Sequence, residues 1–578
     1  MNLKKLMQEA LDFWQAKNFV QAEKILQKII KKDKKNSDAH ANLGAIYATT
    51  KQFELSEIHL KLALRNNNSI GLKANLINVL FEQKKYIDAE ILVNQLVEHD
   101  PQNKHLLMTK AKIIRNTGKL NEALNILEKL YEGNKDDKFI GVSFAYTLNL
   151  TKQYITAIKI YESILKIDEH FFPAIYNCGL IYLNQRIDIK KAIMLLEKSL
   201  VIQSNNIELL LSLAAAYEEV YRFKDAISLI EKAMLINPKD PRVYYQLGCL
   251  HTHSNNLDLS MKNLNYCLKL KPNYIMANYV KSNLLLKEGD FYNGFDLYRY
   301  RIYNESVNTR VDDTGINELS NQDNLLIFYE QGIGDIILYS RFFDEIVKRV
   351  KKVTIIIPKK LRDFLSFNFQ DIEFLIENEF VSEKYIDYKQ INLATVPRLL
   401  ENIDNIISSP KLLKSNVFDN KLLTKSKAQK EKLCGIAWKS NNAKVGDHKS
   451  IVLDDFVKNI FSDTEYKLIN LQYGDVELEI SKQQKSIEIT NVDLFDDISS
   501  TAALISLCDV VVTISNVTAH IAGSMGKKTL LLVPRYLGKF WYWEEGLKIY
   551  KNIKIFTQDE DGGWKIAMKK LKDYLISL

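Results

Sequence analysis

The chain has 578 residues, far more than one hydrophobic core usually serves, so two to four domains are expected. Hydrophobic residues make up 46% and charged residues 26%, which argues against disorder, and no apolar run approaches the roughly 18–20 residues of a membrane span. The net charge of +8 follows a general richness in lysine, with no basic stripe interleaved with aromatics, which argues against a nucleic-acid binder.

The first residues, MNLKKLMQEALDFWQ, carry acidic and amide side chains where a signal peptide would have its apolar stretch, so a cytoplasmic protein is expected. Cys178, Cys249, Cys267, Cys434 and Cys508 form no CxxC pair and show no metal-ligand spacing. Most sit in apolar contexts, where a thiol is a small core residue.

Residues 1–301 repeat with a period of about 34, the signature of a tetratricopeptide-repeat (TPR) solenoid of nine units. A small residue midway along the first helix of each unit falls on Ala10, Gly44, Ala111, Ala145, Gly179, Ala214, Gly248 and Ser282, with Ile77 as the larger exception. A second small position follows at Ala22, Ser56, Ala89, Ala123, Ala157, Ala192, Ala226, Ser260 and Gly294. Pro101, Pro238 and Pro272 mark helix stops. Antiparallel helices approach closely where side chains are small, and one such hairpin buries its apolar face only by stacking on its neighbours. The concave face of such a stack holds a peptide or partner protein. Asn42, Asn75, Asn78, Asn149 and Asn177 fall on first helices, either as amides facing a peptide backbone or as solvated polar positions.

A polar stretch, 302–323, is expected to be a linker. From Asn324 the pattern turns to short apolar strands alternating with amphipathic helices, the mark of βαβ units and an α/β fold. Strands are expected at Leu325–Tyr329, Val353–Ile357, Ile372–Ile376, Cys434–Trp438, Lys467–Leu471, Ile487–Val492, Val510–Ile514, Thr529–Val533 and Ile553–Phe556. A lysine-rich, glycine-free stretch, 411–432, divides this half into two Rossmann-like blocks, 324–410 and 433–578.

Three segments carry candidate chemistry. In IFYEQGIGDIILYSR a strand ends at Glu330, Gly332 and Gly334 permit a tight turn, and a helix begins. Asp335 in its first turn reads equally as a helix-stabilising carboxylate or as a base for an acceptor hydroxyl. CGIAWKS, with DHKSI after it, leads from a strand into a basic loop, where Lys439 and Lys449 can neutralise a phosphate at a strand's carboxyl end beside Trp438 and Ser440. DVVVTISNVTAHIAGSMGK is the most specific. A buried strand ends at Ser515, and a helix capped by Ser515 or Asn516 offers its free N–H groups to an anion, with Val517 and Thr518 in its first turn. His520 lies one turn in; alone on a helix it would read as structural.

These segments, in this order after helical repeats, resemble bacterial TPR proteins with a domain related to glycosyltransferase family 9, the heptosyltransferases. NLQYGD at 470–475, which contains Gln472, DLFDD at 493–497 and WYW at 541–543 add to the likeness. The resemblance implies an inverting, metal-independent transferase with a GT-B-type pair of Rossmann-like domains, using a nucleotide sugar and no other cofactor. It implies that Gly334-Asp335 supplies the base, with His520 as second choice. Donor contacts are implied at Gly332, Gly334, Trp438, Lys439, Ser440, Lys449, Gln472, Ser515, Asn516, Val517 and Thr518. Where heptosyltransferases carry an Asp-Thr-Gly-type turn, this chain has Ser515, Asn516 and Val517. The nearer likeness is to TPR glycosyltransferases associated with flagellin modification, and the outline is similar to the nucleocytoplasmic O-GlcNAc transferase. The expected function is therefore transfer of a sugar to a protein acceptor, such as flagellin, held by the solenoid. The alternative is a noncatalytic scaffold with a degenerate transferase domain.

Overall fold

The computed structural model describes residues 3–303, 310–415, 430–442 and 445–578. Residues 304–309 and 416–429 of the two expected linkers lie outside the described residues. The chain divides into two compact units, Met1–Ala216 and Tyr217–Leu578.

The N-terminal half is a TPR-like solenoid of eighteen helices, from Leu3–Gln15 and Phe19–Lys32 in the first repeat to Ile275–Glu288 and Phe291–Leu297 in the ninth. The small positions are where the helices of a hairpin meet. A Cβ on Gly248 would stand 2.7 Å from Leu264, and the Ser260 hydroxyl donates to the Gly248 carbonyl at 2.7 Å. Ser56 does the same to Gly44 at 2.6 Å. Ile77 is buried as well, so its larger side chain is accommodated within the hairpin core. At the turn inside every repeat one residue takes a left-handed backbone: Lys17, Lys51, Lys84, Gly118, Lys152, Arg186, Tyr221, Asn255 and Gly289. Cys178, Cys267, Cys434 and Cys508 are buried and Cys249 is half-buried, all as free thiols.

The second half contains two parallel sheets with helices. The first has the order β3-β2-β1-β4, with β1 Asn324–Phe328, β2 Lys352–Ile356, β3 Glu373–Leu375 and β4 Lys389–Asn392. The second has the order β10-β9-β8-β5-β6-β7, with β5 Leu433–Ala437, β6 Lys467–Asn470, β7 Ile487–Glu488, β8 Val510–Ile514, β9 Thr529–Val533 and β10 Ile553–Thr557. β5, β8 and β9 are buried along their whole length, as expected of strands covered on both faces. Strand β4 lies outside the strands expected from sequence, and β7 is two residues long where the pattern predicts six.

Two boundaries differ from the sequence reading. The stretch expected as a linker up to 323 is, from 310 onward, bonded to the first sheet: Asn392 donates its backbone N–H to Asp313 at 2.7 Å and its amide to the Val311 carbonyl at 2.7 Å. The seam between compact units lies at 216/217, upstream of residue 301, because the last repeats share the α/β core. Leu286, Phe291, Phe295 and Tyr298 of the ninth repeat pack in one apolar cluster with Leu325, Ile327, Ile336 and Trp541.

Beside that cluster Arg301 and Glu330 form a buried bidentate pair, Nη2–Oε1 2.7 Å and Nε–Oε2 2.9 Å, each about 1% exposed at the side chain. Breaking such a pair leaves an uncompensated buried charge. Arg301→Ala is therefore expected to cost about 3–5 kcal/mol, whereas replacing both partners by apolar residues, Arg301→Met with Glu330→Leu, recovers most of it. Denaturant unfolding followed by tryptophan fluorescence checks this, since Trp438, Trp541, Trp543 and Trp564 lie in the 217–578 unit.

Candidate functional site

Within the 217–578 unit a cavity of about 350 Å³ gathers loops that follow strand carboxyl ends of both sheets. Gly332, Gly334 and Asp335 come after β1, Lys360 after β2, Ser440 and Lys449 after β5, Tyr473 after β6, Ser515, Asn516 and Val517 after β8, and Phe540 and Tyr542 after β9. Strand β5 pairs with β6 on one side and β8 on the other, so Lys449 and Asn516 flank the point where strand order reverses. Ligands of open parallel sheets bind at such a point. Lys360 of the first block closes the cavity on one flank, bonded to the Phe495 carbonyl at 2.9 Å and paired with Asp496 at 3.2 Å.

Asp335 is both helix cap and cavity group. Its Oδ2 accepts the Gly332 N–H at 3.2 Å, and its Oδ1 accepts the Tyr542 hydroxyl at 3.3 Å. Burial pushes its carboxyl up to about 6, although the Gly332 N–H, the Tyr542 hydroxyl and the Lys449 charge pull it down. Lys449 is 3% exposed, lies over the Phe540 ring at 4.2 Å and reaches the Ser515 carbonyl at 3.5 Å. Burial pushes its ammonium down to about 8, against the opposing field of Asp335. No carboxylate lies within ion-pair distance of it among the described residues.

The helix Val517–Ser524 is capped by Asn516, whose Oδ1 accepts from the Ala519 N–H at 3.4 Å. Two polar atoms at this corner, Ser515 Oγ and Asn516 Nδ2, are buried with no hydrogen-bond partner among the described residues, and both residues line the cavity. Buried polar groups are normally satisfied, so these two atoms are open to water or to a polar ligand entering the cavity.

His520 lines the cavity too, but as a packed neutral ring. Burial, then the charges of Arg341 and Lys449, push its imidazole down to about 3. Its Nδ1 lies 3.0 Å from the Tyr550 hydroxyl and its ring packs on Trp543 at 4.7 Å. A Cβ on Gly334 would come within 2.5 Å of this ring, so the glycine lets the Ile333 and Val517 helices approach each other. A group titrating near 3 is a poor proton acceptor at neutral pH, and the Asp335 carboxyl, near 6, is the more basic of the two.

Four expected donor contacts stand elsewhere. Trp438 is fully buried in the core of the second sheet, its indole N–H donating to Glu479 at 2.9 Å. Lys439 turns to the same carboxylate at 2.8 Å and does not line the cavity. The Gln472 side-chain oxygen accepts the backbone N–H groups of Trp438 and Lys439 at 3.1 and 2.9 Å, so it shapes the loop from behind. Thr518 is buried beneath the helix start. Lys360, Asn441, Asn442, Phe540 and Tyr550 carry no linear signal of their place here; the WYW motif contains Tyr542, but nothing linear ties it to Asp335. In the solenoid Asn75 and Asn78 are exposed, whereas the Asn177 amide donates to the Pro173 carbonyl of its own helix.

A tetratricopeptide-repeat family pattern matches residues 241–274, the eighth repeat. The chain is 21% identical over 539 residues to Protein FlbA of Caulobacter vibrioides, spanning 79% of this chain and 87% of that protein. Among solved structures it is similar to a tetratricopeptide repeat protein from Parabacteroides merdae, at 15% identity and TM-score 0.36, over 42% of this chain and 96% of that one. It is also similar to MamA from Desulfovibrio magneticus, at 19% identity and TM-score 0.28, over 29% of this chain and 96% of that one. No helix among the described residues is long and apolar enough to cross a membrane.

The raised carboxyl sets a pH test. The unfolded Asp335 titrates near 3.8 and the folded one near 6, so between those values the folded state holds more proton and its stability falls as pH rises. Asp335→Asn removes that slope. Its melting temperature is expected to equal or exceed that of the natural chain at about pH 8, with the gap closing or reversing below about pH 5. Melting followed by circular dichroism across this range checks it.

Proposed function

We propose that the α/β half is a GT-B-like glycosyltransferase module that moves a sugar from a nucleotide-sugar donor to a hydroxyl of a protein acceptor bound by the helical repeats. The observation that carries this reading is the pairing, in one cavity, of a near-neutral carboxyl, Asp335, with a buried ammonium, Lys449, beside the unsatisfied Ser515 Oγ and Asn516 Nδ2.

In the proposed inverting reaction the acceptor oxygen attacks the anomeric carbon as its bond to the donor phosphate breaks. The acceptor proton passes to Asp335, and the electron pair of the breaking bond leaves on the phosphate. Lys449, the Asn516 amide and the N–H groups at the start of the Val517 helix meet the charge that develops there. A carboxyl near 6 is ionised at neutral pH yet basic enough to take a proton, the compromise a general base requires. This mechanism uses no metal, because the cation and the helix start do the neutralising.

The test begins with calorimetry of the full chain against UDP-, GDP-, ADP- and CMP-sugars, and with mass spectrometry of flagellin and other surface proteins from cells lacking this chain. One donor is expected to bind, with Lys449→Met weakening it by about ten- to a hundredfold, the range for a charged hydrogen bond. Asp335→Asn is expected to keep donor affinity while transfer falls by at least about a hundredfold. With the natural chain, kcat/KM is expected to decline below about pH 6, as Asp335 protonates, and above about pH 8, as Lys449 loses its charge. A chain that binds no donor sugar sinks this reading in favour of a noncatalytic scaffold.

A further inference from the structure

The left-handed residue inside each repeat is a lysine, an arginine, an asparagine or a glycine in eight of nine repeats, and in the seventh it is Tyr221, with φ 60°. Glycine and asparagine accept this backbone readily, and a bulky aromatic is an outlier there. Outliers of this kind persist where surrounding contacts determine them, and they gather at functional sites.

The contacts of Tyr221 lead to the cavity. Its hydroxyl lies 2.7 Å from His448 Nδ1, and its ring meets the His448 ring at 5.8 Å and the Tyr536 ring at 5.3 Å. Gly562 lies under the ring, where a Cβ would come within 2.9 Å of it. Glu219, two residues before Tyr221, approaches the other imidazole nitrogen of His448 at 3.6 Å. The next residue after His448 is Lys449. The short helix Gly446–Lys449 that carries both is tied on its other side by Ser440, whose N–H donates to Ser450 Oγ at 3.0 Å. Packing alone would not need a tyrosine: a residue tolerant of the turn, as at Asn255 one repeat later, would keep the hairpin and lose the contacts to His448 and Tyr536.

We propose that Tyr221 is a positioning residue through which the turn of the seventh repeat holds the 445–450 loop, so that the seat of Lys449 at the cavity depends on the helical repeats. The functional part of this inference rests on Lys449 meeting the donor phosphate; the structural part does not. The repeats thereby act on the affinity of the cavity for its anionic ligand, in addition to any binding of an acceptor.

The experiment uses the full chain, with inorganic pyrophosphate as the probe. Tyr221→Asn relieves the backbone and removes ring and hydroxyl together, and Tyr221→Phe removes the hydroxyl alone. In Tyr221→Asn, amide hydrogen exchange over 445–450 is expected to quicken, and pyrophosphate affinity to fall, each by about five- to tenfold, as the loss of one hydrogen bond allows. Melting of the helical signal should stay level or rise. Tyr221→Phe should change both readouts in the same direction by less. Unchanged exchange in both variants overturns the proposal, as does faster exchange spread evenly over the chain with a lower melting temperature. If the natural chain binds no pyrophosphate, the phosphate role of Lys449 fails, and exchange over 445–450 still decides whether Tyr221 holds the loop.

Discussion

The approach to the cavity from the first sheet depends on the buried pair of Arg301 and Glu330. Desolvating two charges is costly, and the cost is offset only when every polar atom finds a partner. Here Arg301 bonds both oxygens of Glu330, the Thr395 hydroxyl and the Tyr298 carbonyl, and Glu330 also accepts the Ala394 N–H at 2.7 Å. One interaction therefore fixes the end of the ninth repeat, the end of β1 and the 393–399 segment together. Glu330 stands two residues before Gly332, so the direction in which the chain enters the Asp335 turn is set from a helical repeat. Gln331 adds a second tie, donating to the Tyr298 hydroxyl at 3.1 Å.

The cavity then works through the burial of a few charges. Asp335 and Lys449 carry opposite charge, yet burial drives both toward neutrality, and each partly restores the other. Two groups that titrate on either side of neutral pH are easily shifted by an arriving charge. An anion near Lys449 would hold its proton on, and loss of that positive field would push Asp335 further up. His520 serves the same site by shape. Its neutral ring fills the space that Gly334 leaves open and lets two helix starts stand side by side.

Whatever repeats or alternates is legible in the sequence. Close helix contact demands small residues at fixed spacing, so Gly44, Gly248 and Ser260 were visible as a register, and strands such as Thr529–Val533 were visible as apolar runs. Strand β4, with Lys389 and Gln390 ahead of Ile391 and Asn392, has no such run, because three of its four residues are polar and bonded to neighbours. The site was legible as three segments and less so as individual side chains. Trp438, Lys439 and Ser440 are consecutive at one strand end, but only Ser440 reaches the cavity. Trp438 and Lys439 are turned by Gln472 and Glu479, which come from another part of the chain, while Ser440 is held by Ser450. The contact between Tyr542 and Asp335 and that between Tyr221 and His448 span more than two hundred residues, and no local pattern encodes them.

The sharing of one core between the ninth repeat and the first sheet bears on how such a protein can be recombined. A cut at residue 301, where the repeat pattern ends, would strip Phe291, Phe295 and Tyr298 from the apolar cluster and leave Glu330 buried without its cation. A different recognition array can be grafted only upstream of Tyr217, where the compact units part, and the graft must carry the native last repeats with it. The interchangeable part of the solenoid is thus shorter than the solenoid itself.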